Sequence, residues 1–249
     1  MASQTFRVRQ AVLALLVVGA FAVLIGLGTW QVQRLAWKEA LIAAATERPV
    51  AAPVAAPGPA TWPSFDFDRW DYRRVSLTGR FDPGEVHAFW VLSDQRGPLS
   101  GPGYAVIVPF TTVDGWHVLV NRGFVPEEKE DPATRPGSAP PDGTVTIEAI
   151  LRRDDPPNFV TPAPDLDARR FYSRDIAAIA AAFGLPGDDT APYQLDLVAE
   201  ETPAGGLPQA GESRITFPNN HLQYAVTWYG LALCLAGVVI AALWRRRGR

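Results

Sequence analysis

Two uncharged apolar runs constrain this chain more than any other feature. Residues 11–28 and 222–244 contain no Asp, Glu, Lys or Arg, giving runs of 18 and 23 residues. At ~1.5 Å rise per helical residue they reach roughly 27 and 35 Å, against a hydrocarbon core of ~30 Å. Both are expected to cross a bilayer as helices, so the lipid bilayer is an obligatory partner. A formal net charge of −3 suggests an ordinary soluble protein only because it averages over unlike segments. The two tails outside the runs hold six Arg and no acid, whereas all 26 acidic and 17 of the 23 basic residues lie between the runs. The tails therefore carry +6 and the middle −9. Lys- and Arg-rich flanks resist translocation, which predicts cytoplasmic termini and an extracytoplasmic middle. Arg34 and Lys38 argue mildly against this orientation, but the four-Arg tail outweighs them.

The first run also fits the pattern of a cleaved signal peptide. No small-x-small site closely follows Gly28, however, and Thr29-Trp30-Gln31 is a poor place to cut, so a retained anchor is expected, with Trp30 at the interface. Only ten residues precede the run, which disfavours a mitochondrial presequence. Cys234, the one cysteine, lies inside the second run, so the middle domain must be stable through its core without disulfides. Arg outnumbers Lys 21 to 2, pointing to a GC-rich bacterial source and hence to the inner membrane with a periplasmic domain.

The expected layout is a tail (1–10), a span (11–30), a stalk with a Pro/Ala-rich linker (31–69), an α+β domain (70–218), a second span (219–244) and a tail (245–249). Five prolines between residues 49 and 63 favour an extended linker. Beyond it, period-two alternation marks half-buried strands. Their apolar faces are Val75, Leu77, Phe81; Val86, Ala88, Trp90, Leu92; Trp116, Val118, Val120; and Val145, Ile147, Ala149, Leu151. Asp114-Gly115 predicts an antiparallel hairpin, and Asp142-Gly143 a turn. The acidic, proline-rich residues 126–141 read as an exposed loop. A helix is expected with Ser173 as N-cap, Ile176, Ile179, Ala180 and Phe183 on its buried face, and Gly184 and Pro186 as its stop. A last strand covers 193–200, and a Gly/Pro stretch from 202 to 218 leads back to the membrane. The fold class is thus a membrane α+β protein, two transmembrane helices flanking a mostly antiparallel barrel or sandwich with one or two helices.

No Gly-x-Ser-x-Gly elbow, phosphate loop, His-Glu-x-x-His or Cys-x-x-Cys occurs, so the common hydrolase, nucleotide, zinc-protease and thiol-redox chemistries have no residues to carry them. The paired acids Glu127-Glu128 and Asp154-Asp155 sit in proline-rich loops and read as solvated surface. Three histidines exclude a cluster of His ligands. His87 and His117 lie on strands and read as structural. His221 stands at the mouth of the second run, where a neutral imidazole could ligate a metal or a haem iron; the plainer reading is a polar interfacial residue beside an N-cap Asn. Tyr224, Ala225 and Trp228 share its helical face, forming either an interfacial aromatic belt or a flat platform for a planar ligand. Trp30, Arg34 and Trp37 share a face of the first helix, where Arg34 suits a ligand carboxylate or a lipid phosphate.

Three separated motifs, Gly28-Thr-Trp-Gln-Val-Gln-Arg34-Leu-Ala-Trp-Lys38, Asn121-Arg-Gly-Phe-Val-Pro126 and Asn219-Asn-His-Leu-Gln-Tyr-Ala-Val-Thr-Trp228, resemble the surfeit locus protein 1 family in order, spacing and flanking spans. The resemblance covers nearly the whole chain. It implies a non-enzymatic factor that assembles haem-copper terminal oxidases, binding haem a and aiding its insertion into subunit I of cytochrome c oxidase, with haem a synthase as a further partner and no nucleic acid. It also implies His221 as axial ligand to haem iron, with Tyr224, Trp228, Trp30, Arg34 and Lys38 as cofactor-binding residues. Phe124 stands where the family pattern leads one to expect Trp. The alternative function is a haem-free scaffold for nascent oxidase subunits; tails of ten and five residues leave no room for the output domain of a receptor.

Overall fold

The computed structural model describes residues 2–213 and 219–247, the side chains of residues 2–7 and 10 excepted. In chain order the elements are α1 (Ala2–Glu47), β1 (Val54–Ala55), α2 (Phe67–Trp70), β2 (Arg74–Phe81), β3 (Val86–Leu92), β4 (Gly101–Thr112), β5 (His117–Pro126), β6 (Val145–Arg152), β7 (Arg170–Phe171), α3 (Ile176–Ala182), β8 (Thr190–Leu197) and α4 (His221–Arg247). They form two units, Ala44–Thr216 and a helical one made of Met1–Ala43 with Phe217–Arg249.

Ala44–Thr216 is built on a closed β-barrel. Strands follow one another around it as β2, β6, β8, β5 and β4, and the ring closes where residues 79–81 of β2 pair with residues 110–112 of β4. Most pairs are antiparallel, as the alternation and the Asp114-Gly115 turn lead one to expect; β5 with β8 is parallel. Val75, Val106, Phe110, Val118, Ile147, Leu151, Tyr193 and Leu195 fill the interior. β3 continues from the other half of β4 and carries β7 at its edge. On the outer face, Ile107 and Leu119 meet Val86, Phe171 and the buried side of α3, Ile176 and Ile179, in a second core.

Four sequence expectations need adjustment. Residues 49–63 are no free linker. β1 pairs in parallel with β2, residues 59–64 form a 3-10 helix with Pro59 in its first turn, and Trp62 and Phe65 pack on the barrel core. Proline tolerates an edge strand and the start of a helix, so its abundance did not preclude packing. β4 and β5 are buried on both faces because α3 covers the outside, which simple alternation cannot reveal. Asp175, not Ser173, caps α3, its Oδ1 accepting the Ala178 N–H at 2.9 Å. The loop 126–141 is only partly exposed, since Arg135 and Ser138 are buried. Residues 214–218 of the expected return segment lie outside those described.

In the helical unit, α1 and α4 are both long and apolar enough to cross a membrane, and only 6% of each apolar window is covered by protein. The rest needs lipid. Helix α1 continues to Glu47, so the first part of the expected stalk is helical. On α1, Leu24, Gly28, Gln31 and Leu35 are shielded; on α4, His221, Ala225, Trp228 and Ala232 are. These three- and four-residue spacings belong to helices packed along a seam. At Gly28 a Cβ would stand 2.7 Å from the Tyr229 ring, so glycine permits the close approach. The Thr29 hydroxyl bonds back to the Ile25 carbonyl at 2.9 Å and lies 3.1 Å from the Tyr229 hydroxyl. Gly28 therefore meets Tyr229 while Gln31 meets His221, so the helices run antiparallel.

Candidate functional site

The start of α4 places His221. The Asn219 Oδ1 accepts the His221 N–H at 3.4 Å, and the Asn220 carbonyl accepts the Tyr224 N–H at 3.2 Å, satisfying donors that a helix N-terminus leaves open. The imidazole is thereby held in the first turn, on the seam facing α1. Its Nδ1 lies 2.7 Å from the Oε1 of Gln31, a side chain left only 8% exposed. With the amide oxygen as acceptor, Nδ1 is the donor and Nε2 is the ring nitrogen left without a partner among the described residues. Outer-shell bonds of this kind fix the tautomer of metal-ligating imidazoles.

That donor set is selective about what it could hold. Among the described residues no three His, Cys, Asp or Glu side chains gather to hold a metal ion. One imidazole fits a metal that brings its own in-plane ligands, as haem iron does, and does not fit a bare ion needing three or four protein ligands. The other two histidines are committed elsewhere. His87 has Nε2 3.0 Å from Glu85 and Nδ1 3.5 Å from Glu130, and His117 Nδ1 lies 3.0 Å from the Thr111 hydroxyl.

The remaining sequence-selected residues divide. Trp228 shares the shielded seam with His221, while Tyr224 is exposed. Trp30 and Trp37 project from an exposed stripe of α1, with the Arg34 guanidinium 3.8 Å above the Trp37 ring. That stacking orders Arg34 and leaves its N–H edge for an anion. Lys38 is half-buried. Gln31 is the residue whose role the sequence left unassigned. Its signal was a polar side chain three residues from Gly28, on the face that a packed span would bury.

The middle motif serves the barrel. Asn121 Nδ2 donates to Asp196 at 3.0 Å and Asn121 Oδ1 accepts the Gly123 N–H at 3.0 Å. Gly123 has φ +127°, and a Cβ there would stand 2.2 Å from the Gln209 carbonyl oxygen, so only glycine suits. Phe124 is fully buried and bridges to Gln209.

Two lipid-facing helices, packed through Gly28, two buried alanines and a Gln–His hydrogen bond, together with a closed barrel in the sequence between them, define a membrane protein of the α+β class. The SURF1 family model matches residues 18–233. Surfeit locus protein 1 of Homo sapiens is 35% identical over 235 residues, covering 90% of this chain and 73% of that protein. A SURF1-like protein of Monosiga brevicollis is 34% identical over 233 residues, covering 90% and 84%, and one of Drosophila melanogaster is 35% identical over 223 residues, covering 83% and 69%. The chain belongs to the SURF1 family.

Proposed function

We propose that this protein is a non-enzymatic assembly factor for a haem-copper terminal oxidase, which binds haem a between its membrane helices and aids its transfer to subunit I of cytochrome c oxidase. The observation that carries the reading is the Gln31–His221 hydrogen bond, which orients the imidazole on a shielded helix seam with Nε2 as the ring nitrogen that has no partner among the described residues. His221 would ligate the iron. Trp228 and Tyr224 would supply apolar contact, Trp30 would line the exposed flank, and Arg34 and Lys38 would pair with the propionates. Family membership supports the oxidase, and haem a synthase would be the donor. The charge partition supports cytoplasmic termini and a periplasmic domain in a bacterial inner membrane.

Purification of the full chain from a host that makes haem a tests the reading. The account expects a pigment with a haem a absorption spectrum near one equivalent per binding unit. A colourless protein that still supports oxidase assembly would replace it with the haem-free scaffold, for which the exposed Trp30, Trp37 and Tyr224 are the contact surface. A reporter after Arg249 should behave as cytoplasmic and one within residues 49–63 as periplasmic.

A further inference from the structure

The barrel carries a second polar feature, unrelated to the helix pair. A cleft of about 420 Å³ is walled by prolines and alanines of the 132–140 loop and lined by Glu85, Arg122, Arg135 and Ser138. Arg122 belongs to the middle motif and is only 3% exposed. Its Nη1 donates to the Ser138 carbonyl at 2.7 Å and its Cζ lies 5.8 Å from the Phe81 ring centroid, yet among the described residues no carboxylate forms an ion pair with it. Burial draws its pKa down to about 10, with Glu85 opposing and Arg135 reinforcing the shift. A buried guanidinium without a counter-charge is costly.

Arg135 beside it is also buried. Its Nε donates to the Lys129 carbonyl at 2.9 Å, and its Nη2 to the Glu130 carbonyl at 3.0 Å and to the Glu85 carboxylate. Its Nη1 has no hydrogen-bond partner among the described residues. Two guanidiniums thus face one carboxylate, Glu85, whose Oε1 is already shared with His87 at 3.0 Å. The cleft is one negative charge short.

We propose that this cleft binds a carboxylate monoanion with a small apolar body, held by Arg122 and the unpaired Nη1 of Arg135. Arg122 spends Nη1 on the Ser138 carbonyl, and its Nε–Nη2 edge matches a planar carboxylate in two-point geometry. A single negative charge restores neutrality, whereas a dianion would meet Glu85 with charge left over. The proline and alanine wall suits a short alkyl group. A free organic acid and the terminal carboxylate of a polypeptide present the same chemistry.

The test uses the full chain in detergent micelles, following thermal unfolding of the barrel while propionate replaces chloride at constant ionic strength. A ligand that binds the folded state raises the midpoint saturably. Propionate should raise it by a few degrees with saturation in the millimolar range, propionamide should leave it unchanged, and phosphate should do less. Arg122→Gln should weaken the propionate response roughly 10-fold or more. Equal responses to propionate and propionamide, a stronger response to phosphate, or an undiminished response in Arg122→Gln would overturn the proposal. Should Arg122→Gln not fold, the guanidinium N–H resonances of the natural chain decide. Shifts that saturate with propionate alone support the site, and unmoved resonances refute it. N-acetylalanine binding more tightly than propionate assigns the carboxylate to a polypeptide end, and the reverse order to a free acid.

Discussion

Buried polar groups are handled differently in the barrel and between the membrane helices. In the barrel, Asp196 accepts from Asn121 and Gln194 on one oxygen and from Ser213 on the other, with Arg152 and Arg174 at 3.5 and 4.0 Å. Between the helices, His221 is bonded through one ring nitrogen to Gln31, and the other has no hydrogen-bond partner among the described residues. A carboxylate bonded on both oxygens and flanked by two cations is a structural element, because any further ligand would displace an existing partner. An imidazole oriented by one bond and open at the other nitrogen has room for a ligand, which is what the proposed function asks of it. The same contrast separates His221 from His87, which approaches a carboxylate through both its nitrogens.

The contrast can be broken most forcefully in the barrel interior. Val118→Asp would place an unpaired carboxylate at a fully buried position and should cost about 4 kcal/mol or more, close to the whole stability of a domain, whereas Val113→Asp on the exposed turn should stay within ~0.5 kcal/mol. Denaturant unfolding of the two variants decides. Equal effects would mean that the strand faces are misassigned. Asp196→Asn should cost about 3 kcal/mol at neutral pH, because it leaves buried Arg152 with Asp71 alone as a counter-charge and takes from half-buried Arg174 the carboxylate that stands 4.0 Å away.

The acid response of the barrel follows from the same residue. Burial alone would push the Asp196 carboxyl up, but Arg174 and Arg152 outweigh it and hold the group below the ordinary carboxylate range. A group whose folded pKa is depressed contributes stability above its unfolded pKa, ~3.9 for Asp, and loses that contribution as pH falls toward the folded value. Unfolding free energy should therefore decline on acidification below about pH 4, and Asp196→Asn should flatten that decline. An unchanged acid limb in the variant would remove Asp196 from the account.

Between the helices, Gly28→Leu should drive a side chain into the Tyr229 ring and weaken the pairing by about 2 kcal/mol, with Tyr229→Ala recovering part of the loss in a double-mutant cycle. The midpoint of barrel unfolding should not move. The smallest effect concerns residues 49–63. The Tyr193 hydroxyl donates to the Pro57 carbonyl at 2.6 Å, so Tyr193→Phe should cost about 1 kcal/mol, read by thermal unfolding. No change would mean that the bond makes no net contribution.

Periodicity and punctuation made much of this molecule legible. The two apolar runs became α1 and α4, the apolar faces of β2, β3 and β6 point into cores as alternation indicates, and Asp114-Gly115 turns the β4–β5 hairpin. Residues 49–63 were misread because composition reports what a backbone disfavours, not what Trp62 and Phe65 find to pack against. The cap of α3 shifted by two residues because Ser173 and Asp175 are both good caps, and only the path of the chain selects one. On α4, helical spacing grouped Tyr224, Ala225 and Trp228 with His221; Ala225 and Trp228, at i+4 and i+7, share its shielded seam, whereas Tyr224 at i+3 is exposed. Gln31 lies on another element 190 residues away, and no local spacing rule can connect the two.

The central claim is that His221 ligates haem iron through the nitrogen that Gln31 leaves free. The decisive measurement is the visible absorption spectrum of the full chain purified after co-expression with haem a synthesis, with His221→Ala, His87→Ala and His117→Ala beside it. The account predicts that His221→Ala abolishes or shifts the haem bands while the chain remains folded and membrane-inserted, and that the other two variants keep them. A His221→Ala protein with unchanged haem spectrum and stoichiometry would contradict the account.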